Sequence, residues 1–254
     1  MEKQTDRMVG RLPLDHANNG YLDVLQRPSF ETGRIMATLS IASAKGGCGK
    51  TTLAILVGTE LALDGYRVAL LDCDLNQHAT AFGSKADVPG FVVISSIDEA
   101  NVLGTLRGAE ADHDLVLIDL PGGSSTLALK ALQRSNFVLV PCQASLPDVR
   151  DAVKTVAQVD DAQDLARSQI ARSLIWTRVL PGFESRSARH VRESVQGRGL
   201  PLVQASLMER AAYRELHLTG RPPRQVDPKS SAAVNVREIT RELLTNLESM
   251  ASAV

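Results

Sequence analysis

The sequence predicts an α/β protein with a predominantly parallel β-sheet flanked by helices, on three observations. From Thr38 onward, short apolar runs alternate with helical patterns, the signature of repeated βαβ units. Most of these runs are continuously apolar, as strands covered on both faces require. The first run leads through a glycine-rich stretch directly into an amphipathic helix, a setting in which backbone amides can cradle an anion.

In order, strands are expected at 38–42, 67–72, 115–119, 137–141, 173–177 and 202–204, and helices at 50–64, 125–134, 147–165, 185–197, 209–216 and 232–252. Residues 1–35 carry Asn18, Asn19, Gly20, Pro28 and Gly33 with little periodicity, and read as an irregular N-terminal arm before one folded domain over 36–254. A chain of 254 residues with 44% hydrophobic content is long enough for one sizeable core. The formal net charge of −1 excludes a uniformly basic nucleic-acid coat, although a near-neutral total can hide a basic patch. Cys48, Cys73 and Cys142 are widely spaced, form no CxxC pair and suggest neither a disulfide framework nor a zinc site, which fits a reducing cytoplasm. The polar first ten residues argue against a secretory signal, and no stretch approaches the roughly 20 apolar residues that span a bilayer.

The glycine-rich stretch reads Ser43-Ala44-Lys45-Gly46-Gly47-Cys48-Gly49-Lys50-Thr51-Thr52. Its glycines let the backbone wrap tightly enough for N–H groups to point at phosphate oxygens, and the following helix adds the positive end of its dipole. In such a loop Lys50 would neutralise the outer phosphates, the Thr51 hydroxyl would sit on Mg²⁺, and Thr52 would reach an inner phosphate. A second run, Val68 to Asp74, ends a buried strand in Asp72 and Asp74, which alternation puts on one side at the edge where ligands of open α/β sheets sit. A third, Asp114 to Gly123, is an apolar strand ending in Asp119 before a flexible loop. It reads as a Walker B strand and switch loop, with Asp119 holding a water on Mg²⁺ and Gly122 and Gly123 letting the loop respond to the γ-phosphate.

Ala44 occupies the first glycine position of the ordinary phosphate-loop pattern, and Lys45 is an additional lysine. This K-G-G-x-G-K-T-T form resembles the deviant Walker A loop of the ParA/MinD family of P-loop NTPases. The resemblance extends through residues 138–143 and 210–215, and small ParA-like proteins without an N-terminal helix-turn-helix domain are the most similar. It implies that Lys45 contacts nucleotide bound by the other subunit of an ATP-sandwich homodimer. It also implies that Asp74 positions the attacking water, that Asp72 belongs to the Mg²⁺ shell, and that Thr177 and Arg178 lie where many relatives have an adenine-reading asparagine. One group of relatives, including ParA-like proteins associated with plasmids and T-DNA transfer, has Pro-Asn-Gln after the acidic pair, where this chain has Leu75-Asn76-Gln77. Leucine does not fix φ as proline does.

The positive charge lies in the carboxyl-terminal half, where eleven arginines between Arg167 and Arg224 face four glutamates. Arg186, Arg189 and Arg192 fall at helical spacing and would present a ladder to DNA phosphates, with Arg221 and Arg224 next, held exposed by the Pro222-Pro223 pair. The alternative is a solvated face with local ion pairs, for example to Glu193. Few aromatics accompany these arginines, which favours sequence-independent duplex contacts over stacking on single strands. Trp176 and Tyr213 read as packing residues.

The resemblance therefore implies a weak, partner-stimulated ATPase, cytoplasmic and nucleoid-associated. It would dimerise around ATP, bind double-stranded DNA nonspecifically, and partition or position a plasmid, chromosome or protein cargo with a ParB-like or adaptor activator. The alternative is a MinD-like membrane positioner, but the polar side of the amphipathic stretch 234–250 mixes arginines with glutamates, so core packing is expected and no membrane partner. An iron–sulfur protein is disfavoured because two of the three cysteines lie inside nucleotide motifs. A nucleotide-dependent scaffold with negligible hydrolysis stays open.

Overall fold

The computed structural model describes residues 36–197 and 199–251. The arm expected over 1–35 lies outside the described residues. Six strands, β1 (Ala37–Ile41), β2 (Val68–Asp72), β3 (Phe91–Ile94), β4 (Leu115–Asp119), β5 (Phe137–Cys142) and β6 (Ala171–Trp176), form one parallel sheet in the order β3-β2-β4-β1-β5-β6. Nine described helices complete the fold: α1 (Lys50–Leu63), α2 (His78–Gly83), α3 (Val102–Asp112), α4 (Thr126–Leu132), α5 (Leu146–Ala166), α6 (Arg186–Gln196), α7 (Ala211–Thr219), α8 (Pro223–Val226) and α9 (Ser231–Ala251).

The sheet is covered on both faces. On one side Leu39, Leu70 and Leu117 meet apolar residues of α1, α2, α7 and α9; on the other Ala69, Val116, Ile118 and Val138 meet α3, α4, α5 and α6. Every residue of β2, β4 and β5 is buried, which is why these strands read as continuous apolar runs. The apolar side of α9 (Ile239, Leu243, Leu247) packs into the same core as α1, so core packing is what its amphipathicity serves. No described helix is long and apolar enough to cross a membrane. Trp176 and Tyr213 are buried, as expected of packing residues.

Three elements between the second and third motifs, β3, α2 and α3, were not expected from the sequence. β3 is a four-residue edge strand, only partly covered, and α2 spans six residues, so neither carries a long periodic signal. The segment expected as a strand at 202–204 is not one: its pairing is a single bridge between Leu202 and Leu174. The amides of Gln204 and Ala205 donate instead to the Glu242 carboxylate of α9, at 2.6 and 2.9 Å, which interrupts the pairing with β6 until Leu207 N–H donates to Trp176 O at 2.8 Å.

Arg224 corrects another expectation. The pair Pro222-Pro223 does not hold the chain extended through Arg224, because Pro223 opens α8 with the fixed φ that suits a first helical turn. Arg224 is turned inward, donating from Nη1 to Glu60 at 3.0 Å and pairing with Asp64, while Arg237 Nε stands 3.4 Å from Glu60. Glu60 is 3% exposed, and burial raises its pKa against the pull of the two arginines. Arg224→Ala should therefore destabilise the fold by about 1–3 kcal/mol, less than loss of a sole partner because Arg237 remains. Urea unfolding should show this as a lower midpoint at unchanged slope.

Candidate functional site

Parallel register levels the strand ends: Ile41 of β1 pairs with Asp119 of β4, and Asp119 pairs with Asp72 of β2. The three motifs that follow these strands therefore meet at one edge of the sheet. The chain leaves β1 and turns into α1 through Gly47 and Gly49, at φ 76 and 96, a region that side-chain-bearing residues seldom adopt. Among the described residues, the N–H groups of Gly46, Gly47 and Gly49 find no protein acceptor. The outer carbonyls of the loop are engaged: Thr177 Oγ1 donates to Cys48 O at 3.0 Å, and Arg178 Nη2 to Gly47 O at 2.9 Å. The Ala44 amide donates to Thr155 Oγ1 of α5 at 2.9 Å. The loop is thus clamped from outside with its amides available to an anion.

Lys50 opens α1, is 6% exposed, and curls back so that Nζ lies 3.4 Å from the Lys45 carbonyl. Lys45 points elsewhere. Its Nζ donates to Asp148 Oδ1 at 2.9 Å, and this contact raises the Lys45 pKa. Asp148 is itself bonded by Ser145, the N-cap of α5. The two lysines of one loop therefore have separate partners in this state.

The three carboxylates differ. Asp72 Oδ2 accepts from both the amide and the hydroxyl of Thr80, each at 2.7 Å, and Oδ1 accepts from the Asp74 amide at 3.3 Å. Asp74 Oδ1 accepts from the backbone and side-chain nitrogens of Asn76, both at 2.9 Å, which orders the turn despite leucine at 75. Leu75 itself is 97% exposed. Asp119 is fully buried, and neither of its oxygens is hydrogen-bonded by a described residue. Burial pushes its pKa up to about 7; the nearby Thr51 hydroxyl and then Lys50 oppose the rise, while Asp72 adds to it. An unpaired buried carboxylate is costly, and a hard divalent cation satisfies it. Asp119 with the Thr51 hydroxyl therefore fits Mg²⁺, whereas both oxygens of Asp72 already have protein donors. The loop after Asp119 is tied to the phosphate loop by Gly123 N–H donating to Ser43 O at 3.3 Å.

The arginines are placed less uniformly than their spacing suggested. Arg186 and Arg189 are exposed on α6, but Arg189 and Arg192 share Glu184, at 3.5 and 3.0 Å, rather than pairing with Glu193. Arg192 also lies over the Trp176 ring, 5.2 Å from its centroid, so it does not extend the ladder freely. Arg221 is exposed, with Nη2 donating to Gln225 O at 3.1 Å. Sequence reasoning missed Asp148, Thr155 and Thr80. The pattern Ser145-x-x-Asp148 signals a helix start, but not that its acid meets Lys45 from 103 residues away.

A family model described as VirC1 protein matches residues 36–253. Protein ParA of Rhizobium radiobacter is 29% identical over 186 residues, covering 73% of this chain and 84% of that protein. Protein virC1 of the same organism is 32% identical over 196 residues, covering 72% and 84%. Among solved structures, a Cyanothece McdA variant in complex with ATP superposes with a TM-score of 0.70 at 18% identity, covering 83% of this chain and 97% of that one, a likeness of fold.

The Asp119 environment makes a signed prediction. Because its pKa is raised from 3.8 to about 7, folding without a cation takes up a proton, and this group's contribution to stability falls as pH rises from about 4 to 7. Asp119→Asn should raise nucleotide-free stability at pH 7.5 by about 1–3 kcal/mol and flatten that pH dependence. The same variant should lose the extra thermal stabilisation that Mg²⁺ adds to nucleotide; melting curves at several pH values read both effects.

Proposed function

The chain belongs to the VirC1 protein family, within the ParA/MinD class of partition and positioning ATPases, and from that premise we propose an ATP-driven dimerising switch that binds DNA nonspecifically. The observation that carries this reading is the separation of the two loop lysines together with a buried acid whose oxygens lack a hydrogen-bond partner among the described residues. Lys50 Nζ lies 3.4 Å from the Lys45 carbonyl, Lys45 is paired with Asp148, and the oxygens of the buried Asp119 are not hydrogen-bonded by a described residue, with the Thr51 hydroxyl nearby.

ATP phosphates would lie against the amides of Gly46, Gly47, Cys48 and Gly49, with Lys50 neutralising the outer phosphates and Thr52 meeting an inner one. When bound, Mg²⁺ would supply positive charge to the outer phosphates, held by Thr51 and Asp119 with Asp72 in its outer surroundings. Asp74, partly exposed two residues beyond Asp72, would orient water for attack. Lys45 would leave Asp148 and reach the nucleotide of a second copy, so dimerisation exchanges an internal ion pair for an intermolecular one. Thr177 and Arg178 hold the loop through its carbonyls and border the nucleoside. A ParB-like or adaptor protein would stimulate hydrolysis and release the cargo, a plasmid, chromosome or protein assembly.

DNA contact is proposed through Arg186 and Arg189, with Arg192 and Arg221 at the margins; the inward pairing of Arg224 removes it from this set. The MinD-like membrane alternative loses support because the apolar side of α9 is buried in the core.

Lys50→Ala should abolish ATP binding, whereas Lys45→Ala should keep appreciable binding and lose ATP-dependent dimerisation and hydrolysis. Asp74→Ala should bind ATP and persist as a dimer on sizing with ATP and Mg²⁺. Equal loss of nucleotide affinity in both lysine variants would refute the division of roles. A second expectation is ATP-dependent binding to unrelated duplexes, with affinity that falls steeply as salt rises. Removing one arginine–phosphate interaction should lower the salt slope by about one unit. Arg189→Glu should weaken that binding at unchanged ATP affinity; pelleting with anionic liposomes and no duplex binding would overturn the DNA reading.

A further inference from the structure

The phosphate loop has a neighbour that none of the three motifs contains. Thr52, on the first turn of α1, has its Oγ1 3.3 Å from Nε2 of His217, which sits 165 residues away on the last turn of α7. The histidine is held there by a second contact between elements. Lys85 Nζ, after α2, donates to the His217 carbonyl at 3.0 Å. Three residues on, Gly220 ends α7 at φ 69, where a Cβ would come within 2.6 Å of the Lys85 carbonyl carbon. Only glycine permits that approach, so α7 and the segment after α2 are locked together and the ring is delivered to Thr52 in a fixed position.

We propose that His217 is a positioning residue of the nucleotide site, donating its Nε2–H to Thr52 Oγ1 so that the threonine hydroxyl proton is directed to an inner phosphate oxygen. The assignment rests on the nucleotide-binding reading above. Hydrogen-bond accounting selects this direction. If Nε2 were the acceptor, the Thr52 proton would point at the ring and its lone pairs at the phosphate, two acceptors facing each other. With Nε2–H as donor, the chain runs imidazole N–H to hydroxyl to phosphate, each donor having an acceptor, and successive hydrogen bonds polarise one another. The groups facing the ring are Thr52 from α1, His78 from α2 and Lys85 after it. Burial first, then those two neighbours, His78 and Lys85, lowers the His217 pKa. At pH 7.5 the ring is neutral, so it acts through its tautomer rather than as a fixed charge.

The test uses ADP, which needs no dimer, and calorimetric titration of the full chain at pH 7.5. His217→Leu should weaken ADP binding about five- to tenfold, the worth of one hydrogen bond, with the nucleotide-free melting midpoint little changed. His217→Gln, whose amide carries an N–H at a similar reach, should stay within about twofold of wild type, and the shorter His217→Asn should behave like leucine. Thr52→Val should lose a similar factor, and adding His217→Leu to it should cost little more, because both act through one chain of bonds. Wild-type affinity in His217→Leu, failure of glutamine to restore binding, or losses that multiply in the double variant would each overturn the proposal. Should leucine prevent folding, the comparison of Gln with Asn decides alone. Wild-type protein that binds no ADP, with the fold intact, would overturn the nucleotide reading beneath it.

Discussion

The shared register of β1, β4 and β2 is the constraint on which the site depends. Ile41, Asp119 and Asp72 stand level, so the loops after three strands begin from one line although the strands are far apart in sequence. Parallel pairing makes this possible, since every crossover returns each strand to the same starting edge and leaves all carboxyl ends together. A one-residue slip of β4 would turn Asp119 to the opposite face of the sheet, away from the start of α1. Because β2 and β4 are buried on both faces, polarity alone does not forbid such a slip; the close packing of their unequal side chains against the helices on either face does.

The fold class and the central strands were legible because buried parallel strands write themselves as unbroken apolar runs. The phosphate loop was legible because its chemistry is local, with every residue between 43 and 52 contributing. What escaped lies at the edges or depends on distance. β3 is short and half covered, α2 has six residues, and the chain near Leu202 looks strand-like until the Glu242 carboxylate takes its amides. The partners of the site, Asp148 for Lys45 and Thr80 for Asp72, are set by tertiary contact, and no spacing rule connects them.

The arginines show how far charge counting carries. A surplus of positive residues in the second half is real in the sequence, yet several of those residues have structural employment. Arg224 enters the Glu60 network, Arg192 covers Trp176, Arg178 grips the phosphate loop, and Arg210 bonds Ser231. Their guanidinium groups suit this work, since a planar fork can serve a carboxylate, a carbonyl or an aromatic face. The cationic surface left over is narrower than the composition suggests, with Arg186 and Arg189 of α6 and Arg221 among its exposed members.

The Glu60 cluster has a wider consequence for how the chain is assembled. α1 begins at the phosphate loop, and its far end carries Glu60 and Asp64, which grip Arg224 of α8 and Arg237 of α9. The carboxyl terminus is thus no detachable appendage but the counterweight of the nucleotide-binding helix. Trimming the chain before α8 would leave a buried acid stranded in the last turn of that helix, and a domain boundary drawn there, or a shortened fusion made from it, would cut through a single cooperative unit.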